Sequence, residues 1–96
     1  VVAVDVNGDS KLDIIVTNTG SRNVGVLLST ANGTFAPQVT YPTGNYSYAV
    51  AAVDINGDSK PDIVVTNFWA NNVDVLLNTG NGTFTPQSTY ATGIQP

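Results

Sequence analysis

Short apolar runs separated by glycine, asparagine, proline and serine dominate the chain, and no segment shows the period of an amphipathic helix. The second run of each half, at residues 13–17 and 62–66, contains three consecutive apolar residues, and a short unbroken apolar run is typical of a strand covered on both faces. The pattern therefore predicts an all-β protein. Its predicted strands lie at residues 1–4, 13–17, 24–28 and 34–41, and again at 50–53, 62–66, 73–77 and 83–90.

Turn and breaker residues indicate how these strands pair. Asn-Gly dipeptides at 32–33 and 81–82 are strong hairpin signals, and each precedes the fourth strand of its half. The fourth strand contains Pro37 or Pro86. Because proline cannot donate to a ladder, this strand is predicted at a sheet edge. Each half is thus predicted to be a four-stranded antiparallel sheet of the kind that forms a β-propeller blade.

The two halves are copies of one unit. With an offset of 49, residues 1–47 align with residues 50–96 without a gap, and 30 of the 47 pairs are identical. A period of this length indicates a repeat architecture, in which each unit buries its core against a neighbour. We assign residues 1–47 to the first blade and residues 48–96 to the second.

Two blades leave an apolar face open at each end, whereas repeat arrays normally contain three or more units. Asp54 lies ten positions after Gly44, and joining residue 96 to residue 1 would place Asp5 only eight positions after Gly93. The chain ends therefore fall within one connector, about two residues short of a third repeat in register. We predict one period of a larger propeller or repeat array, a multi-blade ring or fibre whose partners are other copies of the same repeat.

The pattern D-x-N-G-D-S-K-x-D occurs twice, at residues 5–13 and 54–62, between the first and second strands of each half. Oxygen-bearing side chains at positions 1, 3, 5 and 9 of a tight loop suit calcium, which takes about six to eight oxygen ligands. Glycine at position 4 allows the backbone to turn sharply. The predicted ligands are Asp5, Asn7, Asp9, the backbone carbonyl of Lys11 and Asp13 in the first loop, and Asp54, Asn56, Asp58, the backbone carbonyl of Lys60 and Asp62 in the second.

Two other interpretations of these loops compete with calcium binding. An Asx-rich turn without metal explains a single copy, but two copies in the same frame favour a cation site. An EF-hand needs a helix after the loop and a bidentate Glu at position 12. That position holds Val16 and Val65, both within predicted strands, so the loops are not EF-hands.

The acidic residues are concentrated in these loops. Of the 7 acids only Asp74 lies elsewhere, and two calcium ions would cancel the net charge of −4. Glycosidase chemistry needs two carboxylates that face a cleft, and the chain has no histidine or cysteine for other acid–base or thiol chemistry. We therefore predict that the chain is not an enzyme. Asp74 is expected to be a surface acid whose replacement by alanine is nearly neutral.

Composition also bounds the partners and the location. The chain has 3 basic residues, which cannot build a stripe that neutralises nucleic-acid phosphates. No apolar run is long enough to span a membrane. Charged residues make up only 10% of the chain, which favours an extracellular or cell-surface location for a secreted protein.

The blade pattern, with D-x-N-G-D-x-x-x-D between the first two strands and N-G-T-F before the fourth, resembles the FG-GAP/VCBS repeats of integrin-alpha-type β-propellers. The resemblance covers essentially the whole chain. It implies one calcium ion per blade, two per chain, bound by the loop residues given above. It also implies a calcium-stabilised extracellular module with a structural or adhesive, non-catalytic role. Family members usually close more than two blades into a ring.

The opposite end of the blades offers a second candidate site. Phe68 and Trp69 are adjacent aromatic residues in a short loop, and such a pair can form a stacking platform for a sugar or a contact for a cell-surface protein. A lectin-like, carbohydrate-binding module is therefore the alternative function. The other interpretation is that these rings pack against the neighbouring blade or the connector and cover Tyr46 and Tyr48.

Three Asn-x-Ser/Thr sequences make Asn32, Asn45 and Asn81 candidate N-glycosylation sites. At Asn32 and Asn81 the Asn-Gly turn and the following strand explain both residues without a glycan. Asn45 has no such explanation and is the stronger candidate.

Overall fold

The computed structural model describes residues 1–31, 33–94 and 96. These residues form twelve strands and one 3-10 turn at Thr19–Ser21. The strands of the first repeat are β1 (Val2–Val4), β2 (Asp13–Asn18), β3 (Asn23–Leu27), β4 (Ser29–Ala31), β5 (Thr34–Phe35) and β6 (Val39–Pro42). Those of the second repeat are β7 (Ser47–Val53), β8 (Asp62–Asn67), β9 (Asn72–Leu76), β10 (Asn78–Gly80), β11 (Thr83–Phe84) and β12 (Ser88–Ala91). The all-β prediction is confirmed.

Each repeat consists of a four-stranded antiparallel sheet with a short hairpin attached. The sheet order is β1-β2-β3-β6 in the first repeat and β7-β8-β9-β12 in the second. The hairpins are formed by β4 with β5 and by β10 with β11. The second and third strands are central in both sheets, and the outer strand lies at an edge. This is the predicted sheet of a β-propeller blade.

The fourth predicted strand is not continuous, which corrects the sequence-based prediction for residues 34–41 and 83–90. Thr34–Phe35 pairs within the hairpin, whereas Val39–Pro42 pairs with β3 at the sheet edge. Pro37 lies in the break between them, where no ladder bond requires its missing N–H. Proline therefore correctly marks the outer strand, but it separates that strand from the hairpin.

The first strand of the second repeat is longer than predicted. It begins at Ser47 rather than at residue 50, and the register shifts between Ser47 and Ala49. Ser47 lies opposite Asn67, and both residues are fully buried. The connector between the two sheets is therefore confined to residues 43–46. The division of the repeats after residue 47 stays a prediction.

The two sheets share one apolar core. Along β2, Ile15 is buried while its neighbours Ile14 and Val16 are half-buried. The ring of Tyr41 meets that of Phe84 edge-on, with the centroids 5.5 Å apart. The buried core residues come from both repeats and are Val6, Ile15, Val24, Val26, Ile63, Val65, Leu76 and Phe84. Because burial of one such side chain contributes roughly 1.5–3 kcal/mol, each repeat depends on the other for its stability.

The loops lie at two opposite ends of the sheets. At one end the second hairpin approaches the first acidic loop, since a Cβ added to Gly82 would lie 3.4 Å from the Cβ of Asn7. At the other end the N–H of Phe68 donates to the carbonyl of Tyr46 at 3.1 Å. The described residues contain no helix of the length and apolarity needed to cross a membrane.

Candidate metal centres

Each acidic loop joins two antiparallel strands of one sheet. The first loop runs from Asp5, directly after β1, to Asp13, the first residue of β2. The second runs from Asp54, directly after β7, to Asp62, the first residue of β8. The sheets therefore hold the first and last carboxylate of each loop on adjacent strands.

The two loops have the same backbone conformation. Gly8 and Gly57 have φ of 77° and 78°, in the region that glycine enters without steric cost. Ser10 and Ser59 also have positive φ, at 66° and 65°. A left-handed residue other than glycine costs about 1–2 kcal/mol. In both loops the N–H of that serine donates to the aspartate at position 1 at 2.8 Å, which offsets the strain.

The carboxylate at position 1 organises the loop backbone. Oδ1 of Asp5 accepts hydrogen bonds from the N–H groups of Gly8, Asn7 and Asp9 at 2.8, 3.2 and 3.3 Å. Partial desolvation would raise the pKa of Asp5, but the N–H donors of Ser10 and these three residues outweigh it and lower the pKa below its ordinary value. The carboxylate is therefore held in its charged form.

The second loop repeats this arrangement around Asp54. Its strongest donor is the N–H of Ser59, which lowers the pKa of Asp54, while partial desolvation opposes the shift. Gly57 and Asp58 add N–H donors at 2.8 and 3.2 Å. The position 1 residue thus presents a charged carboxylate in both loops.

The carboxylates at position 9 are anchored in the core. Asp13 and Asp62 have no exposed surface. Oδ2 of Asp13 accepts from the N–H of Val6 at 2.9 Å, and Oδ1 accepts from that of Ser29 at 2.8 Å. Asp62 has the same two bonds, from Ile55 at 2.9 Å and Asn78 at 2.8 Å. Buried carboxylates need such partners, and these bonds determine where each carboxylate lies.

The three aspartates of each loop converge. One carboxylate oxygen from each of Asp5, Asp9 and Asp13 lies within 4.8 Å of the other two, and the same holds for Asp54, Asp58 and Asp62. Calcium binds oxygen at about 2.3–2.6 Å, so two ligands of one ion lie at most about 5 Å apart. The spacing therefore suits one cation per loop. Without a cation, the mutual repulsion of three carboxylates raises the free energy of the loop.

The asparagines at position 3 provide a further test of this fit. Oδ1 of Asn7 is buried and has no hydrogen-bond partner within the described part of the chain. An unsatisfied buried acceptor costs about 1–3 kcal/mol, and a bound cation would satisfy this one. The side-chain oxygen and nitrogen of asparagine are nearly equal in size, so the amide group fits its site in either of two orientations. One of these two atoms of Asn56 lies 3.0 Å from Oδ1 of Asp58 and 3.2 Å from Oδ1 of Asp54.

That position of the Asn56 amide suits two states of the loop. As a nitrogen, the atom facing the carboxylates donates to both of them. As an oxygen, this atom would bind a cation together with the two carboxylates. The donor set of each loop, rich in carboxylate and amide oxygen, is the chemistry that calcium prefers.

The lysines of the loops contribute through their backbone. The N–H of Lys11 donates to Oδ1 of Asp9 at 2.9 Å, and that of Lys60 donates to Oδ1 of Asp58 at 3.0 Å. Both lysine residues are exposed. Ligation by their carbonyl oxygens stays a prediction.

A cavity of about 280 Å³ lies between the two loops. Its wall combines residues 5–8 of the first loop, residues 59–61 of the second, and Gly80 and Asn81 of the second hairpin. The two candidate centres are thus neighbours across the junction of the repeats.

Asp74 corrects an expectation from the sequence. It is not a surface acid but fully buried, at 0% exposure. Its Oδ2 accepts from the N–H of Gly44 at 2.8 Å, and its Oδ1 accepts from the hydroxyl of Thr89 at 2.7 Å. Asp74 lies on a central strand and binds the connector from the first repeat, a contact that spacing along the chain does not reveal.

Sequence reasoning also missed Asn78, whose side chain contacts both acidic loops. A signal for both residues exists in the repeat itself. Asp74 replaces Gly25, and Asn78 replaces Ser29, at equivalent positions of two otherwise similar copies. At both positions the side chain of the second repeat makes hydrogen bonds to the first repeat.

The aromatic residues at the opposite end form a continuous cluster. The ring of Trp69 lies 5.2 Å from that of Phe68 and 6.2 Å from that of Tyr46, and the ring of Tyr48 lies 5.8 Å from that of Phe68. Trp69, Tyr46 and Tyr48 are exposed by 60%, 54% and 71%. The rings of Phe68 and Trp69 pack against those of Tyr46 in the connector and Tyr48 in β7, yet three of the four rings remain open to solvent.

Of the candidate glycosylation sites, Asn45 and Asn81 are exposed. Asn32 lies outside the described residues. Glycosylation at all three sites stays a prediction.

Comparison with protein-family models matches the FG-GAP-like repeat family over residues 5–65 and again over residues 54–95. Comparisons with curated proteins and with solved structures gave no match. Together the two family matches extend from the first acidic loop to the end of the second repeat. The chain therefore belongs to the FG-GAP-like repeat family.

Proposed function

We propose that the chain is a calcium-stabilised structural module, in which each acidic loop binds one Ca²⁺. The observation that carries this is the convergence of three aspartate oxygens in each of the two equivalent loops. The ligands would be Asp5, Asn7, Asp9, the carbonyl of Lys11 and Asp13 in the first loop, and Asp54, Asn56, Asp58, the carbonyl of Lys60 and Asp62 in the second. Bound calcium would neutralise the clustered carboxylates and hold the junction of the repeats together.

The proposed role is extracellular and adhesive or scaffolding rather than catalytic. FG-GAP repeat domains are generally structural. The seven acids are either in the loops or, as Asp74, buried and hydrogen bonded to the connector and to Thr89. With two calcium ions bound the chain would be neutral, which leaves little long-range field to attract nucleic acid.

Calorimetric titration of Asp58→Ala with calcium tests the proposal. We expect the stoichiometry to fall from two ions per chain to one, because an exposed carboxylate of the second loop is removed while its backbone is kept. Lys60→Ala is the matched control, since it keeps the carbonyl that is the predicted ligand and should leave two ions bound. Two ions bound to Asp58→Ala with unchanged affinity would contradict the proposed ligand set.

We further propose that copies of the chain assemble through their outer sheet faces into a ring or fibre. The face of the first sheet that packs at the junction carries Ile15, Val24 and Val26. The equivalent residues of the second repeat lie outside the core, on the outer face of the second sheet. They are Val64, Val73 and Val75. The converse holds at the other end. In the second sheet, Ile63, Val65 and Leu76 are buried at the junction. Their equivalents in the first sheet lie on its outer face and are half-buried. They are Ile14, Val16 and Leu27.

Each outer face therefore reproduces one side of the existing junction between the repeats. A second copy can add to either end in the same orientation, and such a head-to-tail contact either closes into a ring or continues as a filament. With two calcium ions bound, the chains would carry no net charge and would not repel each other, which also favours association.

Sedimentation in calcium tests the assembly. We expect the chain to sediment as a particle of several copies and Val75→Lys to sediment as a single chain, because a charge would be buried at the new junction. Thr30→Lys, at an exposed hairpin position, is the control and should assemble like the parent. A stable folded particle of 10.0 kDa for the unsubstituted chain in calcium would refute this proposal.

A carbohydrate-binding role is the second candidate, and the exposed aromatic cluster at the end opposite the loops supports it. Aromatic faces held in fixed orientations stack on the apolar face of a sugar ring. A glycan-array or calorimetric signal that is lost in Trp69→Ala and kept in Val39→Ala, an exposed apolar residue on a sheet edge, would establish it. The absence of any glycan signal would assign the cluster to packing of the connector.

A further inference from the structure

The side chain of Asn78 connects the two acidic loops. Its Nδ2 donates to the carbonyl of Val6 in the first loop at 2.9 Å and to the carbonyl of Pro61 in the second at 3.0 Å. Its Oδ1 accepts from the N–H of Gly80 at 2.9 Å, and its own N–H donates to Oδ1 of Asp62. All polar groups of this side chain are thus in use, at an exposure of 4%.

These bonds complete a buried path from one candidate centre to the other. In the first loop the N–H of Val6 donates to Oδ2 of Asp13 at 2.9 Å. The carbonyl of the same Val6 accepts from Asn78, whose N–H binds Asp62 of the second loop at 2.8 Å. We call these four residues, Asp13, Val6, Asn78 and Asp62, the relay. Each of them is exposed by 4% or less.

We propose that Asn78 couples the two loops, so that calcium in one loop raises the affinity of the other for calcium. The proposal rests on the proposed function and adds cooperativity to it. Val6 lies between two predicted ligands, Asp5 and Asn7, so the position of its backbone determines how well the first loop is formed. A cation in the second loop holds Asp62, and through Asp62 it holds Asn78 against Val6.

The physical basis is the entropy of ordering the loops. A cation that binds one loop orders the relay, and the cation that binds the second loop then has less of the relay left to order. Coupling of this kind is reciprocal and typically changes affinity by about 5–150-fold. The close approach of Gly82 to Asn7 and Val6 adds a packing contact between the second hairpin and the first loop.

The first repeat contains the natural comparison. Ser29 occupies the position equivalent to Asn78, and its N–H donates to Asp13 at 2.8 Å just as that of Asn78 donates to Asp62. The backbone bond to the metal loop is therefore common to both repeats, and the amide side chain is the part that reaches the neighbouring loop. Asn78→Ser keeps the backbone bond to Asp62 and removes the side-chain bond to Val6.

Calorimetric titration of the 96-residue chain with calcium measures the coupling. Asp9→Ala leaves only the second loop able to bind, and Asp58→Ala leaves only the first. We expect the product of the two stepwise association constants of the parent to exceed the product of the single-loop constants about tenfold. The same ratio is then measured with Asn78→Ser in place of the parent, using Asp9→Ala and Asp58→Ala each combined with Asn78→Ser. We expect this ratio of association constants to fall to about one. Ser29→Asn leaves the contacts of Asn78 in place and should keep the parent value.

Three outcomes are distinguishable. A factor near one in the parent, or an unchanged factor in Asn78→Ser, overturns the coupling while the calcium sites stand. Failure of both loops to bind calcium overturns the proposed function and the coupling with it. A tenfold factor that disappears in Asn78→Ser supports both.

Amide hydrogen exchange gives a test that does not depend on the folding of Asn78→Ser. In Asp9→Ala, only the second loop binds calcium, and we expect calcium to slow exchange at Val6 about tenfold. Ile55, the equivalent residue in the second loop, reports the filling of that loop itself. Slower exchange at Ile55 with no change at Val6 would overturn the coupling.

Discussion

Removal of calcium is expected to lower the melting temperature of the chain by roughly 20 °C or more. At a free calcium concentration of about 100 times Kd, each site adds about 2.7 kcal/mol to the free energy of unfolding. For a chain of this size, each kcal/mol shifts the melting temperature by about 4–8 °C. Thermal unfolding followed by circular dichroism, with EGTA and with excess calcium at the same protein concentration, measures the shift.

EGTA already saturated with calcium is the control for the chelator itself, and it should leave the melting temperature unchanged. Magnesium should restore little of the lost stability. It needs a near-octahedral shell of oxygens at shorter distances than calcium does, and the spacing of the loop oxygens suits calcium. Identical melting curves with and without the chelator would contradict the calcium sites.

Asp74→Ala is expected to lower the free energy of unfolding by about 3 kcal/mol, in calcium and in EGTA alike. The substitution removes a fully buried carboxylate and leaves two part-buried donors, the N–H of Gly44 and the hydroxyl of Thr89, without their acceptor. An unsatisfied donor costs about 1–3 kcal/mol, and the space left by the carboxylate adds to that cost. Denaturant unfolding in both buffers measures the effect. The residue lies outside the metal loops, so its contribution does not depend on the cation.

Two comparisons sharpen this result. Asp74→Asn keeps an acceptor for Gly44 and should lose less stability than Asp74→Ala. Asp58→Ala should lose stability in calcium and little of it in EGTA, because its exposed carboxylate acts through the bound ion. A nearly neutral Asp74→Ala would mean that the connector does not depend on this carboxylate.

Much of the fold and both candidate metal centres follow from local features of the sequence. Strand positions follow from short apolar runs, and the central strands β2, β3, β8 and β9 lie within about one residue of their predicted bounds. The spacing of the loop aspartates predicts their convergence, because nine residues with a left-handed glycine at position 4 can close on themselves. These interactions connect residues close in sequence, so the pattern alone contains them.

Two features of the fold were not predictable in this way. Pro37 marks the outer strand, but only the pairing of Thr34–Phe35 with the preceding residues shows that this strand is separate from the hairpin. Asp74 looks like an isolated surface acid until the connector is seen to donate to it. The first depends on which partner each part of a proline-containing segment pairs with, and the second on which distant segments meet. One sequence without its fold specifies neither.

The sequence by itself determined the all-β repeat, the family and the two acidic loops, since periodicity, turn residues and ligand spacing act within a few residues of each other. The tertiary structure alone decided that Asp74 is buried, that the aromatic residues near Trp69 remain exposed, and that Asn78 joins the loops across 72 positions of the chain. The physical reason is that burial and hydrogen bonding in the core are set by the packing of the two sheets against each other. In two nearly identical repeats, that packing gives different roles to equivalent positions.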